Sequence, residues 1–178
     1  IDKNVESSKE EDGEVVAYGE NIMLGYHNLP EKTKESINKE GGLRTGDLGH
    51  FDNEGYLYIT GRVKEQYKLE NGKYVAPAPL EESLKLSAYI DQVMLYGFNR
   101  PHNVALIVVS MPTVLKYAEK HGISGDAESI LKDTSIKQIF EDQLKHYGKE
   151  FKGFENPQNF ALLSEEWSID NGLLTPTL

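Results

Sequence analysis

Leu43-Arg44-Thr45-Gly46-Asp47-Leu48-Gly49 is followed, after a short polar interval, by Ile59-Thr60-Gly61-Arg62-Val63-Lys64-Glu65. The two stretches set a carboxylate and a guanidinium beside a candidate hinge. Gly46 lets the backbone turn tightly or approach a ligand closely, and Asp47 offers two acceptor oxygens that can hold a vicinal diol such as a ribose. Arg62 can grip the same sugar, or a phosphate, through its planar fork. Each piece alone has a plainer reading: Arg-Thr-Gly-Asp as a turn before a strand, Gly-Arg as a strand end. Order and spacing together make the pair specific.

Working outward, Asp52-Asn53-Glu54-Gly55 predicts a hairpin turn leading into a strand at Tyr56-Leu57-Tyr58-Ile59-Thr60, and the alternation in Glu14-Val15-Val16-Ala17-Tyr18 predicts another. Pro30 to Ile37 predicts a short helix with proline in its first turn. Residues 1 to 12 are polar and weakly patterned, which reads as a turn or loose arm. Residues 66 to 178 have the size of a self-sufficient α+β domain. In it, Lys73-Tyr74-Val75 leads to Pro77 and a helix over Pro79 to Leu86. Strands follow at Gln92 to Gly97 and Val104 to Val109, the second apolar almost throughout and therefore central in its sheet. A proline-led helix spans Pro112 to Lys120, with Val114, Leu115 and Ala118 expected inward. Ile136, Ile139, Phe140, Leu144, Tyr147 and Phe151 recur at helical spacing as a core-facing stripe. Asn159 to Leu163 reads as an extra strand, and Trp167 as a packing anchor. The predicted fold class is α+β: a short sheet flanked by helices, preceded by a β-rich piece.

The sequence resembles the last third of the acyl-adenylate-forming enzymes, the group of acyl-CoA synthetases, luciferases and peptide-synthetase adenylation domains. Gly13-Glu14-Val15-Val16 and Asn21-Ile22-Met23-Leu24-Gly25-Tyr26-His27-Asn28 are similar to the family's glycine-rich strand pair, and Pro30-Glu31-Lys32-Thr33 to the helical start after it. Gly41 to Asp47 resembles its ribose-binding motif, Glu54 to Ile59 the next hairpin, and Gly61-Arg62-Val63-Lys64-Glu65 its interdomain hinge. Lys68-Leu69-Glu70-Asn71-Gly72-Lys73-Tyr74-Val75-Ala76-Pro77 looks most like the long-chain fatty acid-CoA ligase version. The tail Leu173-Leu174-Thr175-Pro176-Thr177-Leu178 resembles the stretch that, in those ligases, runs directly into an adenylating lysine. That lysine, the upstream phosphate loop and the acyl tunnel do not occur in this sequence, and its first residue is Ile1 rather than Met. The chain therefore reads as a cut piece: residues 1–61 from the β-rich end of a large domain, 62–65 as the hinge, and 66–178 as a small mobile domain truncated before the catalytic lysine.

The resemblance implies two half-reactions in the parent enzyme. A fatty-acid carboxylate attacks ATP, with Mg2+, to give acyl-AMP and pyrophosphate; CoA then displaces AMP. It implies that Asp47 and Arg62 hold the ribose, that Lys64 is the pivot, and that Gly72 and Lys73 belong to the loop lining the CoA path. No catalytic residue is expected on the chain itself, which alone should form no acyl-AMP. Two other readings stand beside this one: an adenylation domain that loads a carrier protein, and a non-catalytic interaction module of the same fold.

Composition narrows the classes. With 178 residues, 38% apolar and 27% charged, the chain suits one globular domain with a small addition. No apolar run reaches the length of a membrane span and no leader stands at the front, so a cytoplasmic, water-soluble piece is expected, with peripheral membrane contact and self-association left open. The absence of cysteine excludes disulfides, thiolate metal sites and cysteine nucleophiles. A net charge of -10 argues against a nucleic-acid surface. Arg62, Lys64, Lys68 and Lys73, against Glu65 and Glu70, form a local basic island. It could receive ATP or CoA phosphates, or it could simply be lysines guarding an edge strand. His27, His50, His102, His121 and His146 are scattered without metal-ligand spacing, which favours surface or capping roles. Glu81-Glu82 and Glu165-Glu166 read as solvated pairs.

Overall fold

The computed structural model describes residues 1–7 and 9–175. Pro176, Thr177 and Leu178, the end of the tail motif, lie outside the described residues. The chain forms two compact units, Ile1–Ala76 and Pro77–Leu178.

The first unit carries strand β1 (Gly13–Ala17), helix α1 (Pro30–Ser36), and strands β2 (Leu43–Phe51) and β3 (Leu57–Arg62). They form an antiparallel sheet of order β1-β2-β3. The turn between β2 and β3 forms where the sequence places it, because the Asp52 carboxylate accepts the backbone N–H groups of Glu54 and Tyr56, each at 2.9 Å. Those backbone donors, Tyr56 first, hold the Asp52 carboxyl below its ordinary value. Helix α1 begins at Pro30, whose missing N–H costs nothing in a first turn. A small hairpin of β4 (Tyr67–Lys68) and β5 (Tyr74–Val75) completes the unit.

Several expectations are corrected here. Asn21 to Asn28, taken as one member of a strand pair, contains no strand; the Tyr26 N–H is taken by the Thr33 hydroxyl at 2.9 Å rather than by a ladder partner. Arg44 to Asp47 do not form a turn before a strand but lie within β2. Residues 1 to 12 are not a loose arm. Asp2 and Glu14 exchange backbone hydrogen bonds of 2.8 and 2.9 Å, and Asp12 is 4% exposed. Apart from these corrections, residues 66–76, on the far side of the expected hinge at 62–65, pack with the first unit in this conformation, where Gln66 and Tyr74 both hydrogen-bond to Glu6.

The second unit runs α2 (Pro77–Leu84), β6 (Ile90–Tyr96), β7 (Val104–Val109), α3 (Met111–Lys120), α4 (Ala127–Lys132), α5 (Thr134–Tyr147) and β8 (Asn159–Leu163). Its sheet has the order β6-β7-β8, with β6 antiparallel and β8 parallel to β7. The apolar run of β7 is central, as its composition demands. Leu80, Leu84, Val93, Leu95, Ile107, Val114, Ile136 and Phe140 pack into one core, against which Ile139, Tyr147 and Phe151 are partly buried.

Leu115 does not turn inward; it is 46% exposed while Val114 and Ala118 are 1% exposed. The face of α3 that packs holds Met111, Val114, Tyr117 and Ala118, and Leu115 lies one helical step outside it. Helix α4 is absent from the sequence reading. Asp126 caps it by accepting the Ser129 N–H at 2.9 Å, and Asp133 caps α5 by accepting that of Ser135 at 2.7 Å. Glu81 is not merely solvated: its carboxylate accepts the N–H of Leu95 at 2.7 Å, satisfying a donor on the edge strand β6. Trp167 is held through its backbone, whose N–H and C=O pair with the Gln92 amide at 2.7 and 2.9 Å.

Candidate functional site

Strands β2 and β3 bring Asp47 directly opposite Arg62 in register. Arg62 Nε donates to Asp47 Oδ1 at 2.9 Å. The side chains are 56% and 34% exposed respectively, so a ligand can reach both. An ion pair this open contributes little to stability, typically below about 1 kcal/mol. What the pair offers instead is chemical: an acceptor and a planar donor held side by side, complementary to the hydroxyls of a sugar.

The backbone around Asp47 is unusual. Gly46 has φ +77°, a left-handed value that L side chains adopt only with strain. Its C=O accepts the N–H of Val63 at 2.9 Å, which ties the motif to the first residue after β3. The Thr45 hydroxyl donates to the Val15 C=O at 2.9 Å and accepts the N–H of Asp47 at 3.0 Å. Arg44 lies against Glu14 and Asp2 at 2.6 and 2.9 Å, and these hydrogen bonds, Glu14's first, raise its already high pKa.

The candidate pivot Lys64 is exposed in a turn in which the N–H groups of Glu65 and Gln66 both reach the Arg62 C=O, at 3.2 and 3.3 Å. Gly72 and Lys73 sit on the separate β4–β5 turn. Gly72 has φ +84° and its N–H meets the Leu69 C=O at 2.9 Å, while Asn71 Oδ1 accepts the Lys73 N–H at 3.1 Å. The basic island is partly neutralised by its neighbours. Lys68 lies 4.8 Å from the Tyr74 ring centroid and 4.0 Å from the Glu6 carboxylate, and Arg62 faces Asp47. The Tyr74 hydroxyl donates to Glu6, and that bond pushes the phenol's pKa up.

One polar cluster escaped the sequence reading. His50 Nδ1 lies 2.7 Å from Asp12 Oδ1, and the Thr60 hydroxyl donates to Asp12 Oδ2 at 2.5 Å. The His50 ring stacks on Tyr58 with centroids 5.7 Å apart. A carboxylate can only accept, so Nδ1 carries the proton in this contact. No spacing signal links residues so far apart in the chain. In the second unit, a groove of about 1340 Å³ beside β8 mixes Phe160, Leu162 and Trp167 with Lys137 and Lys145, and holds none of the predicted site residues. Among the described residues, no group of three or more His, Cys, Asp or Glu side chains could hold a metal ion, and no helix is long and apolar enough to cross a membrane.

Comparison with known proteins places this geometry in context. Residues 64–140 match the family of the AMP-binding enzyme C-terminal domain. Long-chain-fatty-acid–CoA ligase 1 of Homo sapiens is 36% identical over 172 residues, covering 95% of this chain and 25% of that protein. Long-chain-fatty-acid–CoA ligase 5 of Rattus norvegicus is 36% identical, covering 94% and 25%. The chain thus spans about a quarter of the length of the curated relatives it matches. Among solved structures, the A-PCP didomain of carboxylic acid reductase from Segniliparus rugosus, in complex with AMP, superposes with a TM-score of 0.74 at 26% identity, over 98% of this chain and 24% of that one.

Proposed function

We propose that this chain, whose residues 64–140 belong to the AMP-binding enzyme C-terminal domain family, is the C-terminal part of an AMP-forming fatty acyl-CoA ligase. In that enzyme a fatty-acid carboxylate attacks the α-phosphate of ATP, releasing pyrophosphate, and the CoA thiol then displaces AMP from the acyl-adenylate. The observation that carries the reading is the 2.9 Å contact between Arg62 and Asp47. Asp47 accepts the ribose hydroxyls, and Arg62, while keeping Asp47 in place, donates to the same sugar. Residues 62–65 are the hinge, with Lys64 as the pivot whose backbone torsions absorb the domain rotation between the two half-reactions. The start of the family match at residue 64 supports a boundary there. Gly72, with no side chain, lines the path of the thin pantetheine arm, and Lys73 meets its phosphates. The reading places the parent protein in the cytoplasm.

Asp47→Ala in the full-length ligase tests the assignment. Removing a charged acceptor of two hydroxyls is expected to raise the KM for ATP by about 10- to 100-fold. An unchanged KM and rate would remove Asp47 from the nucleotide site. A second reading, an adenylation domain that hands its acyl group to a carrier protein, is favoured by the likeness to the A-PCP didomain. A carrier domain encoded directly downstream would decide for it.

A further inference from the structure

Glu14 lies on β1 and is 7% exposed, an unusual depth for a carboxylate in a unit with so little apolar core. Its two oxygens do different things. Oε2 accepts from Arg44 Nη1 at 2.6 Å, and Oε1 accepts the backbone N–H of Gly46 at 3.2 Å. One side chain thus spans both ends of the Arg44-Thr45-Gly46 segment. Arg44 is gripped from its other side by Asp2 Oδ2 at 2.9 Å.

Packing does not hold Gly46 in its left-handed conformation, since nothing lies within 4 Å of where a Cβ would stand. A glycine unsupported by contacts visits many backbone states, so a single shape must be specified by hydrogen bonds. Those bonds are the Glu14 carboxylate on the Gly46 N–H, the Val63 N–H on the Gly46 C=O, and the Thr45 hydroxyl between Val15 and Asp47. Glu14 is the charged, buried member of the set. We infer that Glu14 is a positioning residue: by fixing Gly46 from behind, it sets the direction in which Asp47 leaves the strand and so holds Asp47 against Arg62. The inference rests on the reading above only in that the positioned pair is the one assigned to the ribose.

The test has two readouts: hydrogen exchange at Gly46 N–H and Arg62 Nε–H in the isotopically labelled 178-residue chain without nucleotide, and the affinity of the full-length ligase for AMP. Glu14→Leu removes both contacts and is expected to speed both exchanges by about tenfold and to weaken AMP binding by a similar factor. Glu14→Gln leaves one acceptor oxygen for two donors, since its NH2 must face either Gly46 or Arg44, and is expected to fall between wild type and the leucine variant. Glu14→Asp, too short to reach Gly46 and Arg44 together, serves if the leucine variant does not fold, and is expected to resemble it at Gly46. Unchanged Arg62 exchange in a folded Glu14→Leu or Glu14→Asp protein overturns the inference. Faster Arg62 exchange with undiminished AMP affinity upholds the positioning role and overturns the ribose assignment instead.

Discussion

In the second unit Phe140, Ile136 and Ile107 are each 0% exposed and lie among other hydrocarbon side chains, whereas in the first the carboxylates of Asp12 and Glu14 are buried alongside Leu48 and Val75. The second unit also buries Ser87, Asn103 and Glu155, but around a far larger apolar core, so the two regions differ in the balance of the two kinds of ordering. Apolar burial is non-directional: it stabilises any well-packed arrangement by about 25 cal/mol per Å² and tolerates small shifts. A buried carboxylate is costly unless each of its oxygens finds a donor, and donors are found only at particular distances and angles. The first unit therefore gains definition where the second gains stability. Asp47 and Arg62 stand in the unit whose geometry is set by hydrogen bonds, which suits groups that must meet a ligand at fixed positions.

The largest test of that contrast is Phe140→Ala. Truncating a fully buried aromatic should cost about 3–5 kcal/mol and collapse the second unit in a denaturant titration, with Asp2 and Glu14 amide protection little changed. Next is Asp12→Ala, which strands the His50 imidazole and the Thr60 hydroxyl. A loss of about 2 kcal/mol is expected in the first unit, read from the exchange of β2 and β3 amides. If β2 and β3 proved indifferent, their order would have to come from apolar contact after all.

Acid should sharpen the same comparison by a smaller amount. The Asp2 carboxyl is held below its ordinary value of 3.8, first by the Asn4 backbone N–H and then, against the cost of burial, by Arg44. A carboxyl depressed on folding contributes stability that is complete above the unfolded value and lost as pH falls through the lower, folded one. Below pH 3.8 the bridge between Asp2 and Glu14 should therefore lose exchange protection while the β7 amides keep theirs. Simultaneous loss would contradict the division. The smallest effect is expected of Leu115→Ala, within about 0.5 kcal/mol by thermal melting, against more than about 1 kcal/mol for Val114→Ala one residue away.

The apolar run of β7 and the Ile136–Phe140–Leu144 stripe were legible because hydrophobic periodicity is a local signal that burial obeys. The Asp52 turn was legible because its chemistry is contained within five residues. Leu115 was not, since a period locates a stripe but not its margins, and Leu115 sits at the margin of the face that Met111, Val114, Tyr117 and Ala118 bury. Helix α4, six residues long, is too short for periodicity, although the aspartates that cap α4 and α5 stand in the sequence as boundary signals. At the site, Asp47 and Arg62 were readable as a motif. Glu14, the Asp12–His50–Thr60 cluster and the Glu81 contact with Leu95 were not, because each joins a polar side chain to a partner far along the chain.

The β4–β5 hairpin closes on Asn71 and Gly72, both exposed, with Asn71 Oδ1 accepting the Lys73 N–H. An asparagine before an unhindered glycine is a chemical weak point: the glycine nitrogen can attack the side-chain carbonyl and expel ammonia, and hydrolysis of the ring leaves a carboxyl group. Ageing of this protein should therefore add negative charge at this turn, beside Lys68 and Lys73, ahead of the second Asn-Gly pair, Asn171-Gly172, whose amide is held by the Ser168 N–H and the Glu166 C=O, so that a stored sample drifts toward lower isoelectric point without any break in the chain.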